Sequence, residues 1–293
     1  MSSSLGVVIP AYNAEKFVTE AIESARACGA TQVIVVDDGS SDRTVQVAEE
    51  SGALVIVQEN SGAAIARTNG AGHLTTDFVV FLDADDLLVP SGVARSIEVL
   101  EADDSLSVAA GVVVGFSRNS SRETRFPIRY TPVNTSSLLT IGYGPWPPCN
   151  AVVRVTSLRA SEALAVETIY PRFADDFELL IRLSMVGGVE VSDYPACRYC
   201  MDGGKSVHSA NKALESKENL RRYYAEANGI EVSLMSQQEI KQAAQARLAR
   251  AQFSSGNVLG GVVSSIRWVA FGPGKILGAV SKRLTKRTRR SHP

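Results

Sequence analysis

The first hundred residues alternate between two hydrophobic periods. Residues 5–9, 33–36, 54–57 and 78–82 are short, continuous apolar runs dominated by Val, Ile, Leu and Phe. Runs of this length and composition read as strands, those at 33–36 and 78–82 as buried ones. Between them the spacing becomes helical. Phe17, Val18, Ala21, Ile22 and Ala25 fall on one side of a helix over residues 14–27. Ser40 or Ser41 can cap a helix running to residue 51. Residues 61–72 read as a helix entered through Gly62, and Val93, Ile97 and Leu100 line a helix over 91–100. Repeated strand–helix units predict an α/β fold with a mainly parallel sheet covered by helices on both faces.

The pattern is less regular further on. Residues 108–116 read as a strand, and 117–135 as a polar, irregular stretch holding a strand at 124–130. Strands follow at 151–155, 189–191 and 196–200. Between them, residues 173–186 read as a helix with acids at its start and Leu179, Leu180, Leu183 and Val186 facing inward. From residue 209 the chain is helical, first polar and then rich in Ala and Gln. The expected organisation is an α/β domain over 1–208, in halves 1–100 and 101–208, and a helical extension with a basic tail over 209–293.

Composition narrows the class. Of 293 residues, 45% are hydrophobic and 21% charged, the balance of a water-soluble globular protein. Residues 272–293 carry seven Lys and Arg and no acid; against a net −1 for the chain, this leaves −8 on residues 1–271. An acidic body opposes nucleic-acid binding. A basic segment with Trp268 and Phe271, over residues 258–293, suits contact with an anionic membrane surface, or is a helix docked on the core followed by a disordered tail. Residues 258–280 are interrupted by Arg267, Pro273 and Lys275, so no membrane span is expected. The chain opens Met-Ser-Ser-Ser and runs at once into a strand, without the basic and apolar regions of a signal peptide. The expected location is the cytoplasm, at the inner face of the membrane if the tail binds lipid. Cys28, Cys149, Cys197 and Cys200 are too few and scattered for a disulfide framework, and the C-x-x-C at 197–200 has no second pair to complete a zinc site.

The candidate chemistry lies where the first four strands end. Pro10 closes the first strand and frees the backbone of Ala11 and Tyr12. Asp37 and Asp38 follow the second, with Gly39 allowing close backbone approach. Arg67, in the helix after the third, can meet phosphate or carboxylate, or simply face solvent. The fourth releases Asp83, Asp85 and Asp86 within four positions. Such acids are either a polar turn with a helix cap or a site for a divalent cation. In a parallel sheet all four clusters share one carboxyl edge, where α/β folds bind ligands.

These segments resemble the family 2 glycosyltransferases of GT-A fold, a Rossmann-like nucleotide-diphospho-sugar transferase architecture. The family's V-x-I-P-x-Y-N stands at residues 7–13, V-V-D-D-G-S-x-D at 35–42, N-x-G-x-x-x-A-R-N-x-G at 60–70 and D-x-D at 83–85. One position departs, Thr68 standing where Asn is usual. The resemblance implies a nucleotide-diphosphate sugar donor, usually a UDP-sugar. Asp38 would accept a hydrogen bond from the base. Pro10, Ala11, Tyr12 and Glu15 would line base and ribose, and Arg67 would help to hold the nucleotide. Asp83 would sit near ribose and metal, and Asp85 would ligate Mg²⁺ or Mn²⁺. The family's E-D-x-x-L-x-x-R pattern fits residues 175–182, with Asp175 in place of Glu. That makes Asp176 the general base of an inverting transfer of a hexosyl or N-acetylhexosaminyl group, in cell-wall or surface polysaccharide synthesis, or else one of the acids that satisfy a helix dipole. A looser match after Pro195 makes His208 a further metal ligand or a surface residue. Tyr143 and Trp146 form an apolar platform for a glycan or lipid-linked acceptor, or only stiffen their loop.

Three other readings compete. A nucleotide-sugar-binding protein without catalysis would share the fold, but Asp85 and Asp176 are retained. A haloacid-dehalogenase-like phosphatase expects its Asp pair near the first strand. A sugar nucleotidylyltransferase expects a Gly-rich loop where this chain has Pro-Ala-Tyr-Asn. The lack of Q-x-x-R-W and of membrane helices argues against a processive polysaccharide synthase.

Overall fold

The structure is a computed structural model that describes residues 3–144, 150–202, 209–254 and 258–271. The four apolar runs become β1 (Leu5–Ala11), β2 (Gln32–Asp37), β3 (Leu54–Val57) and β4 (Phe78–Phe81). They lie in the order β3-β2-β1-β4 and all pair in parallel. Pairing of Ala11 with Asp37, and of Asp37 with Val57, brings the ends of β1, β2 and β3 level. The polar clusters that follow therefore lie along one edge.

Side chains alternate across these strands, and each face finds a cover. Val7, Ile9, Val33, Val35 and Val80 pack against Val18, Ala21, Ile22 and Ala25 of α1 (Val18–Ala27). Val18 and Ile22 are completely buried; burial of such a side chain stabilises by about 2 kcal/mol. The opposite face carries Val8 and Val36, which receive α3 (Ala63–Gly72) at Gly70. A Cβ there would stand 2.5 Å from Val8 Cγ1 and 2.9 Å from Val36 Cγ2, so only glycine lets the helix sit this close. That close seat places Arg67, one turn earlier, at the carboxyl edge. Between these helices, α2 spans Thr44–Glu50. Neither Ser40 nor Ser41 caps it, contrary to the sequence expectation. The Asp42 carboxylate accepts from Thr44 N instead, and both serines bond Asn13.

The second half turns the sheet mixed. β5 (Leu87–Leu88) and α4 (Pro90–Ala102) lead to a long β6 (Leu106–Ser117) and β7 (Ser120–Phe126). β7 begins and ends before the expected 124–130. Then come α5 (Thr135–Ile141), β8 (Ala151–Arg154), α6 (Val155–Glu162), α7 (Asp175–Val186) and β9 (Gly188–Cys200). The order continues β4-β8-β6-β9-β5, with β7 on β6. β8 is antiparallel to both β4 and β6, while β9 runs parallel to β6. The two short strands expected at 189–191 and 196–200 are one strand. Register shifts opposite Ala110 and Val112 absorb Pro195, which has no N–H to donate.

The helices that follow are α8 (Ala210–Asn228), α9 (Gln237–Ser254) and α10 (Val258–Phe271). Contacts divide the chain into two units. One comprises residues 1–203 and 223–232, so the end of α8 belongs with the sheet; the other comprises 204–222 and 233–293. No helix among the described residues is long and apolar enough to cross a membrane.

Candidate active site

The loops after β1 and β2 are stapled to each other. Asn13 N donates to Ser40 Oγ (2.8 Å), and Asn13 Oδ1 accepts from Ser41 N (2.9 Å). Ala14 N donates to Thr44 Oγ1, and Asp38 N to Ala11 O. Tyr12 projects from this staple and is exposed, whereas Ala11 is buried and Pro10 half-buried. Glu15, expected beside base and ribose, pairs with Arg43 at 3.3 Å.

Asp38 is buried, and its carboxylate accepts from Gln58 Nε2 (2.9 Å), Ser61 N (2.7 Å) and Gly62 N (2.9 Å). It therefore clamps the loop that leads into α3. A carboxylate offers about four lone-pair sites, and three of them are taken here.

Arg67 is the centre of the site. It is buried, not solvated, and its guanidinium bridges Asp83 (2.6 Å) and Asp175. One partner ends β4 and the other opens α7, so a single side chain ties the two together. Burial alone would lower its proton affinity, but the charges of Asp175, Asp83 and Asp176 hold it well above the ordinary value. Burial pushes the Asp175 carboxyl up, aided by Asp176 and Asp83 and opposed by Arg67.

Asp176 stands next along α7, half-buried beside Phe81, Val153 and Phe177. Among the described residues, no hydrogen-bond donor meets its carboxylate. The acids of the α7 N-terminus are entered through Ala174 at φ 65°, and Tyr170 (51°) and Asn13 (52°) are also left-handed. All three non-glycine residues with positive φ among the described residues thus border this edge, and such conformations concentrate at functional sites.

The three acids after β4 separate. Asp83 holds Arg67. Asp86 is completely buried: its N donates to Asp83 O (3.1 Å) and closes the turn, while its carboxylate accepts from Cys200 N (2.7 Å), tying that turn to β9, and does not cap α4. Asp85 is half-buried; its backbone oxygen accepts from Arg118, and its charge adds to the burial that raises the Cys200 thiol. Among the described residues no group of three His, Cys, Asp or Glu could hold a metal. His208, Trp146 and Cys149 lie outside the described residues. Cys197 and Cys200 are buried on β9. Tyr143 is exposed, edge-on to Tyr130 at 5.9 Å and beneath Arg129.

Arg182 lines one cavity with Arg67, Asp175 and Glu178. It is buried, donating to Val166 O (2.7 Å), Ser161 O and Tyr224 Oη (3.0 Å). Glu178, which sequence reasoning passed over, accepts from Tyr224 Oη, Ile169 N and Tyr170 N. Together they fix the loop before α7 and so the direction of the acids at its start. A buried acid inside a Leu-rich helix was the available signal, since such a charge needs partners.

Residues 6–159 match the profile of the family described as Glycosyl transferase family 2. The uncharacterized glycosyltransferase YibD of Escherichia coli is 31% identical over 37% of this chain, a match that spans 33% of that relative's length. Among solved structures, S. aureus TarS 1-349 in complex with UDP-GlcNAc aligns over 92% of this chain and 79% of its own, with TM-score 0.60 and 18% identity. Glucosyl-3-phosphoglycerate synthase from Mycobacterium tuberculosis, in complex with Mg²⁺ and UDP, aligns over 78% and 81%, with TM-score 0.52 and 18% identity.

Proposed function

The chain belongs to glycosyl transferase family 2, and from that premise we propose that it moves a sugar, with inversion, from a UDP-sugar to a hydroxyl of a glycan or lipid-linked acceptor. The observation that carries the reading is the Arg67 bridge. It ties Asp83, at the end of β4, to the helix that bears Asp176, which supports a donor site and a base side by side.

In this reading Pro10, Ala11 and Tyr12 line the nucleotide, and Asp38 offers its remaining lone pair to the base. Asp85 and Asp83 fit a divalent cation by chemistry, since both supply hard carboxylate oxygens. With no third such ligand among the described residues, phosphate and water oxygens would complete the shell, as Mg²⁺ prefers. When bound, the ion would neutralise charge on the departing diphosphate. The TarS and mycobacterial complexes, solved with UDP-GlcNAc and with Mg²⁺ and UDP, support a uridine donor and a cation.

Asp176 takes the proton from the acceptor hydroxyl. Its carboxylate lines a cavity with Phe81, Val153 and Phe177. Tyr143, beside Tyr130, offers a stacking face for the acceptor.

A thermal-shift panel of UDP, GDP and ADP, each with and without Mn²⁺, tests the donor assignment. Binding to the folded state at a hundredfold excess over Kd stabilises by about 2.7 kcal/mol. UDP with Mn²⁺ is expected to give the largest rise in Tm. No rise with any of the three would remove the reading.

A further inference from the structure

Helices α9 and α10 form a hairpin whose inner seam is set residue by residue. Gly261 sits against Phe253; a Cβ there would lie 2.7 Å from the ring. Ser264 Oγ donates to Gln252 Oε1 at 2.7 Å. Gln242 and Gln238 of α9 reach the backbone oxygens of Trp268 and Phe271. Gly261, Ser264 and Trp268, spaced i, i+3 and i+7, are therefore the side of α10 turned to α9.

That seam fixes what faces outward. Val258, Leu259, Val262, Val263, Ile266 and Val269 are 44 to 81% exposed. At about 100° per residue they form one stripe roughly 140° wide, with no polar residue inside it. The only charge in the helix is Arg267. Six aliphatic side chains in one exposed stripe mark a contact surface. The next residues decide what it contacts, because Lys275, Lys282, Arg283, Lys286, Arg287, Arg289 and Arg290 follow without an acid.

We propose that α10 lies in the interface of an anionic lipid bilayer, its outward stripe among the acyl chains and the following cationic run on the headgroups. At 14 residues the helix is too short to span, but a helix in the interfacial plane needs only an apolar face and positive charge. The −8 carried by residues 1–271 would repel such a surface, which confines attraction to this end of the chain. The inference is independent of the donor assignment, since lipid binding needs no nucleotide.

Vesicle sedimentation of the full chain tests it. The protein is expected to pellet with vesicles of phosphatidylcholine and phosphatidylglycerol, to stay in solution with phosphatidylcholine alone, and to be released by high salt. Replacing Leu259, Val262 and Ile266 together with serine removes only exposed side chains and should weaken vesicle binding at least about tenfold. Replacing Lys282, Arg283, Lys286, Arg287, Arg289 and Arg290 with glutamine should weaken it as much or more, at roughly 1 kcal/mol per charge. This second variant leaves the helix untouched and tests the charge requirement even if the serine variant misfolds. Both variants should keep the UDP-induced Tm shift. The proposal is overturned if neither vesicle pellets the wild type, or if either variant, folded, pellets like it. It is equally overturned if the wild type is a dimer that the serine variant dissociates, because the stripe would then be covered by a second copy.

Discussion

Asp176→Asn lowers sugar transfer by about a thousandfold while UDP affinity changes by less than about threefold; loss of a positioned general base costs 10²–10⁴ in rate. The amide has the shape of the carboxylate and cannot take the acceptor proton. Asp176 is not a partner in the Arg67 bridge, whose ion pairs go to Asp83 and Asp175, so the substitution leaves that tie in place. The measurement is UDP release from the donor that the thermal-shift panel selects, beside calorimetric titration of UDP. Transfer within a few-fold of wild type would assign the base elsewhere.

Arg67→Ala is expected to destabilise the fold by about 3 kcal/mol, because removing one partner of a buried ion pair leaves its acids uncompensated. Arg67 and Asp175 are mostly buried, whereas Asp83 is partly solvated and contributes less. The loss should depend on pH. Burial already raises Asp175 above its ordinary value against the pull of Arg67. A carboxyl whose folded pKa is raised contributes stability below its unfolded pKa and loses it as pH rises through the folded value. Without Arg67 that folded value moves higher and the loss grows. Urea denaturation should therefore show a larger gap between variant and wild type at neutral pH than under mildly acidic conditions. A gap that is constant with pH would mean that Asp175 is not the residue left stranded. UDP binding should weaken as well, since Asp83 and α7 lose their common anchor.

The elements legible in the sequence are those encoded by local pattern. The four apolar runs of the first half are β1 to β4; β1, β2 and β4 are buried, as continuous apolar strands are expected to be, whereas β3 at the sheet edge leaves Leu54 and Val57 exposed. What escaped depends on distant partners. β5 is two residues long and exists only because Leu87 and Leu88 pair with Arg198 and Cys197. α6 begins where an apolar strand was expected to end, at Val155, with no side-chain cap to announce it. The site divides the same way. Its acids and Arg67 could be picked out by type and spacing, but not their partners. Arg67 meets Asp175 across 108 positions of chain, and Asp86 meets Cys200 across 114. No spacing rule reaches so far, so Arg67 could be read as nucleotide-binding or solvated and Asp86 as a turn residue. Arg182 matches the family pattern, and the structure adds that it holds the loop before α7 through Val166 O and Ser161 O.

The central claim is that the carboxyl edge of β1 to β4 holds a nucleoside diphosphate through a cation at Asp85. Calorimetric titration of UDP into wild type and Asp85→Ala, with and without Mn²⁺, tests it most directly. The account predicts that Mn²⁺ tightens wild-type binding at least about tenfold, one bridging interaction being worth about 1.4 kcal/mol or more, and that the variant loses this gain while keeping its metal-free affinity. An equal gain from Mn²⁺ in both proteins would contradict it.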